Sequence, residues 1–264
     1  MLLPSNYSYI EWVGNYGAVF ESQGGIISKL DHSTDKKNGP NGPMDHIFFP
    51  RQNVMINGKE RVRGGCFPCY PFLGERKSPP FSIENNRHGW LRNVELDLSN
   101  CEEGEGEYEI EVPFSERKKH LDSCVSLKYI LSASGLFCKM DIKADHSASF
   151  PVNPGWHPYF YSNDDYLIQF GNRECLQIKS VDNSFSYRQF PYSEQICIHT
   201  DKGVIKMRLS GDYDNDSAII VWSDSPYYLC VEPVYKPLGK YITMSGEKES
   251  TLELNMAITF RPNS

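Results

Sequence analysis

The stretch "NPGWHPYF", Asn153 to Phe160, holds His157 between Trp156 and Pro158 with two aromatic residues behind it. An imidazole changes charge near neutral pH, so a histidine in a stiff aromatic setting is a candidate proton donor. The same stretch also reads as a turn closing a strand, because "NPG" is turn punctuation and Tyr159-Phe160 suits a half-buried surface. Two other stretches supply the partners of an acid/base set. In "RHGWLRN", His88 precedes a glycine, which lets backbone and ring approach a small polar ligand; a histidine satisfied within a loop is the alternative. In "YYLCVEPVY", strand alternation places Tyr228, Cys230 and Glu232 on one face and Leu229 and Val231 on the other. A carboxylate followed by proline there is either an edge residue facing water or the wall of a pocket. Arg61 and Arg63 in "RVRGG" share a face if the chain is extended, and Arg92 follows His88 by four residues. Arginines at a site entrance make forked bonds to carboxylate or phosphate, and are otherwise solvated.

Strands must carry these residues. Period-two alternation recurs from "YEIEVPF" at 108 to 114, through "SCVSLKYILSA" at 123 to 133 and "GVIKMRLSG" at 203 to 211, to "STLELNMAITF" at 250 to 260. Alternation over such lengths, spaced by Gly, Asn, Asp and Pro turns, predicts antiparallel strands with one buried face. No window shows helical periodicity. Many short strands at this spacing predict an all-β protein, a large antiparallel sandwich or a barrel, built as one domain over 1–264. Near the start, 9–30 reads as two or three strands joined by Gly turns, and 31–45 as a polar loop. Asn57-Gly58 marks a hairpin. The proline-rich run "CFPCYPFLGERKSPPFSIENN" excludes a regular helix and is expected to be an aromatic-lined loop.

Composition narrows the function. A formal net charge of -7 argues against nucleic acid as the main ligand, which would want a basic face. No apolar run approaches the eighteen or so residues of a membrane helix. The opening "MLLPSNYSYIEW" has no basic n-region or small-residue cleavage site, so a cytoplasmic location is expected. The chain has eight cysteines. Cys124, Cys138, Cys175, Cys197 and Cys230 fall in strand-like runs as small buried hydrophobes, and reduced thiols are expected. Cys66 and Cys69 in "CFPC" have the spacing of a redox or zinc pair, but no second pair accompanies them and no metal is expected. The sequons at Asn6 and Asn215 are expected to be silent.

The motifs "RGG", "HGWLRN", "HPYF" and "CVEP", in that order over roughly 9–260, resemble the aldose 1-epimerase, or galactose mutarotase-like, superfamily. The series "RVRGGCFPCYPFLGE" then "RHGWLRN" is more similar to its hexose-6-phosphate epimerase branch. The resemblance implies a β-supersandwich and interconversion of the α and β anomers of an aldose or aldose 6-phosphate. It implies Glu232 as base, His157 as acid, His88 as a substrate-orienting partner, and Arg63 and Arg92 near a sugar phosphate. Such ring opening needs one proton removed from O1 and one delivered to the ring oxygen, and calls for no cofactor. His157 would then hold its proton near neutral pH. Many members carry an aspartate between the last two motifs that grips sugar hydroxyls; Asp182 and Asp201 both qualify. The alternative is a non-catalytic carbohydrate-binding or regulatory sandwich.

Overall fold

A computed structural model describes residues 8–33, 43–56, 58–74, 88–96, 107–111, 123–144, 149–161, 166–172, 175–178, 187–246 and 250–263. Among them are twenty-one strands and no α-helix. One sheet runs β1 (Ser8–Val13), β2 (Tyr16–Glu21), β3 (Ile26–Ser33), β7 (Cys66–Cys69), β12 (Gly155–Tyr161), β19 (Tyr228–Val234), β18 (Ala218–Trp222) and β15 (Arg188–Pro191), with β4 (Met44–His46) on β3. The other runs β14 (Cys175–Ile178), β13 (Tyr166–Phe170), β16 (Gln195–His199), β17 (Gly203–Gly211), β21 (Thr251–Pro262), β10 (Gly135–Ala144), β9 (Ser123–Ser132) and β8 (Glu107–Glu111). Two small ribbons complete the described strands, β5 (Gln52–Ile56) with β6 (Lys59–Arg63), and β11 (Ser149–Val152) with β20 (Ile242–Ser245). All the sheet pairings within the two large sheets are antiparallel.

The two sheets form the expected sandwich because their alternation meets in one core. From the first come Ile27, Trp156, Phe160, Leu229 and Val231, and from the second Leu127, Met140, Ile198 and Leu254. In β9 the expected alternation is literal, with buried and half-buried residues taking turns along all ten positions. Each such Leu or Ile taken out of water contributes about 1.5–3 kcal/mol, and no disulfide among the described cysteines supplements this.

Several expectations need correction. The "CFPC" run is not loop but strand β7, buried throughout between β3 and β12. Proline's fixed φ forbids a helix interior but tolerates an extended strand, and Pro68 sits opposite Trp156 in the ladder. Residues 31–33 extend β3, and 44–46 form β4 against it, Asp31 pairing with His46. Finally, β19 is buried on both faces, as is β12 up to Tyr161, so one-sided burial fails at the centre of the first sheet. Of the strand-borne cysteines, Cys138 and Cys230 are buried, whereas Cys175 is exposed and Cys124 and Cys197 are intermediate. The hairpin forms as read, with β5 and β6 paired and Gly58 at positive φ; Asn57 lies outside the described residues.

Candidate functional site

The central strands of the first sheet present a second face away from the core. Alternation sends Trp156 and Phe160 of β12 into the intersheet core and turns His157 and Tyr159 outward. It sends Leu229 and Val231 of β19 inward, and Tyr228 and Cys230 outward with Glu232. Gly155 pairs with Val234 and Tyr159 with Cys230, and the same register sets His157 opposite Glu232. Their side chains meet, His157 Nε2 lying 3.3 Å from Glu232 Oε1. Both residues are buried, at 2% and 3% exposure, where an unpaired charge is costly. Glu232 is therefore a pocket wall rather than a water-facing edge.

Aromatic rings fix the imidazole. Phe67, its register partner on β7, stacks at 4.7 Å and Tyr159 at 4.8 Å, while His88 approaches edge-on at 4.7 Å. His88 itself is pinned on both sides by Gly74, whose carbonyl accepts from the His88 amide at 2.8 Å and whose amide donates to His88 Nδ1 at 3.1 Å. His88 adopts φ 70°, uncommon for a residue with a side chain, and Gly89 follows at φ 77°. A Cβ at Gly89 would lie 2.0 Å from the Tyr70 carbonyl oxygen, so this glycine permits the backbone approach that aims His88.

His157, Glu232, His88, Arg63 and Arg92 all line one pocket of 1390 Å³. The structure thus gathers the five residues that the resemblance assigned to acid, base and substrate binding. Arg63 arrives already engaged, donating to Asp224 at 2.7 Å through its terminal nitrogen and lying 5.5 Å from the centre of the Trp222 ring. Burial works against its charge, but Asp224 outweighs this and raises its pKa. Asp224 also accepts a hydrogen bond from Tyr228. Arg92 lies over Phe67, its guanidinium carbon 5.3 Å from the ring centre. Asp224, Phe67 and Trp222 are pocket residues that sequence reasoning missed. Period-two counting from Glu232's strand partner Ile220 would have reached Trp222, but nothing local marks Asp224. Of the two candidate aspartates, Asp201 sits in the β16–β17 turn of the other sheet beside Lys202, at 3.5 Å, and is not a pocket residue. Asp182 lies outside the described residues.

The expectation that His157 keeps its proton near neutrality also needs correction. Burial lowers its pKa well below the ordinary value, and His88, Arg92 and Arg63 push the same way. An ionised Glu232 at 3.3 Å favours the imidazolium instead. Further positive side chains, Arg51, Lys59 and Arg61, ring the pocket, against Asp224 and Glu232. The lining is basic although the chain is acidic.

Residues 61–225 match the sequence profile of the family described as aldose 1-epimerase. The chain belongs to the aldose 1-epimerase family. The match covers Arg63, His88, Arg92 and His157 and stops before Glu232, which joins them only in space. The membership makes this a chain of a carbohydrate isomerase family whose members act on sugars. Solved structures agree on the fold of this aldose 1-epimerase family chain. A galactose mutarotase-like protein from Lactobacillus casei is 14% identical with a TM-score of 0.70, covering 97% of this chain and 100% of its own. A galactose mutarotase related enzyme from Lactobacillus acidophilus is 12% identical with a TM-score of 0.71, covering 97% of each chain. An aldose epimerase homologue from C. elegans is 9% identical with a TM-score of 0.68, covering 98% of this chain and 100% of its own. A search of the curated proteins finds no match. No helix among the described residues is long and apolar enough to cross a membrane.

Proposed function

We propose that the protein is a sugar 1-epimerase that interconverts the α and β anomers of an aldose or aldose 6-phosphate by acid/base ring opening and closure. The observation that carries this reading is the 3.3 Å meeting of His157 and Glu232 inside a pocket that also holds His88. Glu232 takes the O1 proton as the ring opens, and His157 delivers a proton to the ring oxygen. After rotation about the C1–C2 bond the transfers reverse on the other face. His88, held by Gly74, orients the sugar. Because burial depresses the His157 pKa, the acid takes up its proton facing the Glu232 carboxylate, and that protonated fraction limits the rate above neutrality. Assistance of this kind is worth about a hundred- to ten-thousand-fold per group.

The basic lining supports an anionic sugar. Arg63 and Arg92 lie beside the acid/base pair, and Arg51, Lys59 and Arg61 extend the positive surface outward. The pocket exceeds the roughly 300–1,000 Å³ of common small-molecule sites, which leaves room for a phosphate arm beyond the ring. The deciding experiment follows freshly dissolved α-D-glucose, α-D-galactose and α-D-glucose 6-phosphate to anomeric equilibrium by polarimetry, with and without protein. Acceleration of at least one, greatest for the phosphate, is expected; acceleration of none rejects the function. The depressed His157 pKa favours one second reading, a module that binds sugar without turnover. Sugar binding by calorimetry with no anomer exchange would establish that reading instead.

A further inference from the structure

One residue beside the acid/base pair has no part in anomer exchange. Cys230 precedes Glu232 by two residues on the same face of β19, opposite Tyr159. One donor atom each from His157, Cys230 and Glu232 lies within 4.8 Å of the other two. All three residues are buried. His157 Nδ1 is buried without a hydrogen-bond partner among the described residues, while Nε2 meets Glu232 at 3.3 Å.

We propose that a borderline-soft divalent cation, best matched by Zn²⁺, binds through His157, Cys230 and Glu232 and closes the pocket to sugar. One nitrogen, one sulfur and one oxygen donor form the mixed set that Zn²⁺ accepts, and three protein ligands leave a fourth position open toward the pocket. Tetrahedral zinc with bonds of about 2.0–2.3 Å sets its donors roughly 3.3–3.8 Å apart. The His157–Glu232 edge already has that length, at 3.3 Å. The remaining edges, at up to 4.8 Å, close by a rotation of the Cys230 or Glu232 side chain. On binding, Zn²⁺ replaces the Cys230 thiol proton, which leaves to solvent. Burial and Glu232 hold that thiol protonated in the free protein. The resulting unit of one dication, one thiolate and one carboxylate is neutral, which a wall carrying Arg63 and Arg92 tolerates. Coordination consumes the base and the acid together, so the metal inhibits rather than assists. Only this inhibition rests on the function proposed above; the binding site itself stands independently.

The test is a titration of the full-length protein with Co²⁺, which reports a cysteine ligand through a near-ultraviolet thiolate-to-metal charge-transfer band, followed by displacement with Zn²⁺. One equivalent is expected to raise the band, Zn²⁺ to abolish it, and Cys197→Ser, in the other sheet, to leave it intact. Cys230→Ser is expected to remove the band; its persistence at full intensity overturns the proposal. Should that variant fail to fold, His157→Gln decides, with Co²⁺ affinity falling at least ten-fold if the site is correct and unchanged if it is not. In an anomerisation assay Zn²⁺ is expected to inhibit over the same concentrations at which it binds, and acceleration by Zn²⁺ overturns the inhibitory role. If no sugar is turned over at all, the function fails while the spectroscopic titration still decides the metal site.

Discussion

The two faces of the strands β12, β19 and β18 differ in everything but their backbone. Inward, Trp156, Phe160, Ile219, Val221, Leu229 and Val231 pack against the second sheet as apolar surface with no chemistry. Outward, His157, Tyr159, Trp222, Cys230 and Glu232 lie one residue away on the same strands, equally buried in the main yet polar or aromatic. The comparison teaches that burial does not separate core from site here. What separates them is what covers each face: a full sheet on one side, a pocket on the other.

Substitutions on one face should therefore alter rate with the fold intact, and on the other alter stability with the chemistry intact. The largest effect is expected for Glu232→Gln, a near-isosteric change that leaves the packing and removes the base. Anomerisation should slow by about a hundred- to ten-thousand-fold while the thermal midpoint stays near wild type; a full rate in this variant would erase the distinction between the faces. Next comes Leu229→Ala, fully buried on the inward face three residues away. It should cost about 2–5 kcal/mol in denaturant unfolding and leave kcat of the folded fraction unchanged. A large fall in kcat with little loss of stability would show that the faces are coupled.

The charge on the outward face can be sharpened by comparing substrates. Arg92→Ala should lower kcat/KM for α-D-glucose 6-phosphate by roughly ten- to a hundred-fold, the worth of a charge-assisted hydrogen bond, and touch the neutral sugar much less. Arg63→Ala should act in the same direction, with an added stability loss because Asp224 is left without its 2.7 Å partner. Equal losses on both sugars would dismiss the anionic substrate. The remaining effect is pH. The free-enzyme pKa of His157 is lowered, and the acid must be protonated to act. kcat/KM should thus fall as pH rises from 6 to 8, by at most about ten-fold per unit, with the limb missing in His157→Gln. A kcat/KM that climbs over this interval would mean that the neutral imidazole is the working form.

Much of this was legible along the chain. Alternation in segments such as "SCVSLKYILS" located the long strands, and the split of Leu229 and Val231 from Cys230 and Glu232 followed from counting by two. The strand at Cys66–Cys69 was hidden by its prolines, because the signal that denies a helix says nothing about an extended segment buried between two neighbours. Asp224 was hidden for another reason: an aspartate in a turn looks the same whether it faces water or holds Arg63, 161 residues distant along the chain.

By itself the sequence determined the class of fold and the identity of the chemical groups, because hydrophobic period and residue type are local properties that need no partner. The tertiary structure decided which strand lies beside which, and hence that Glu232 faces His157 at 3.3 Å across 75 residues of chain. It also decided the protonation of that histidine, since burial and the fields of His88, Arg92 and Arg63 exist only once the sheet has formed.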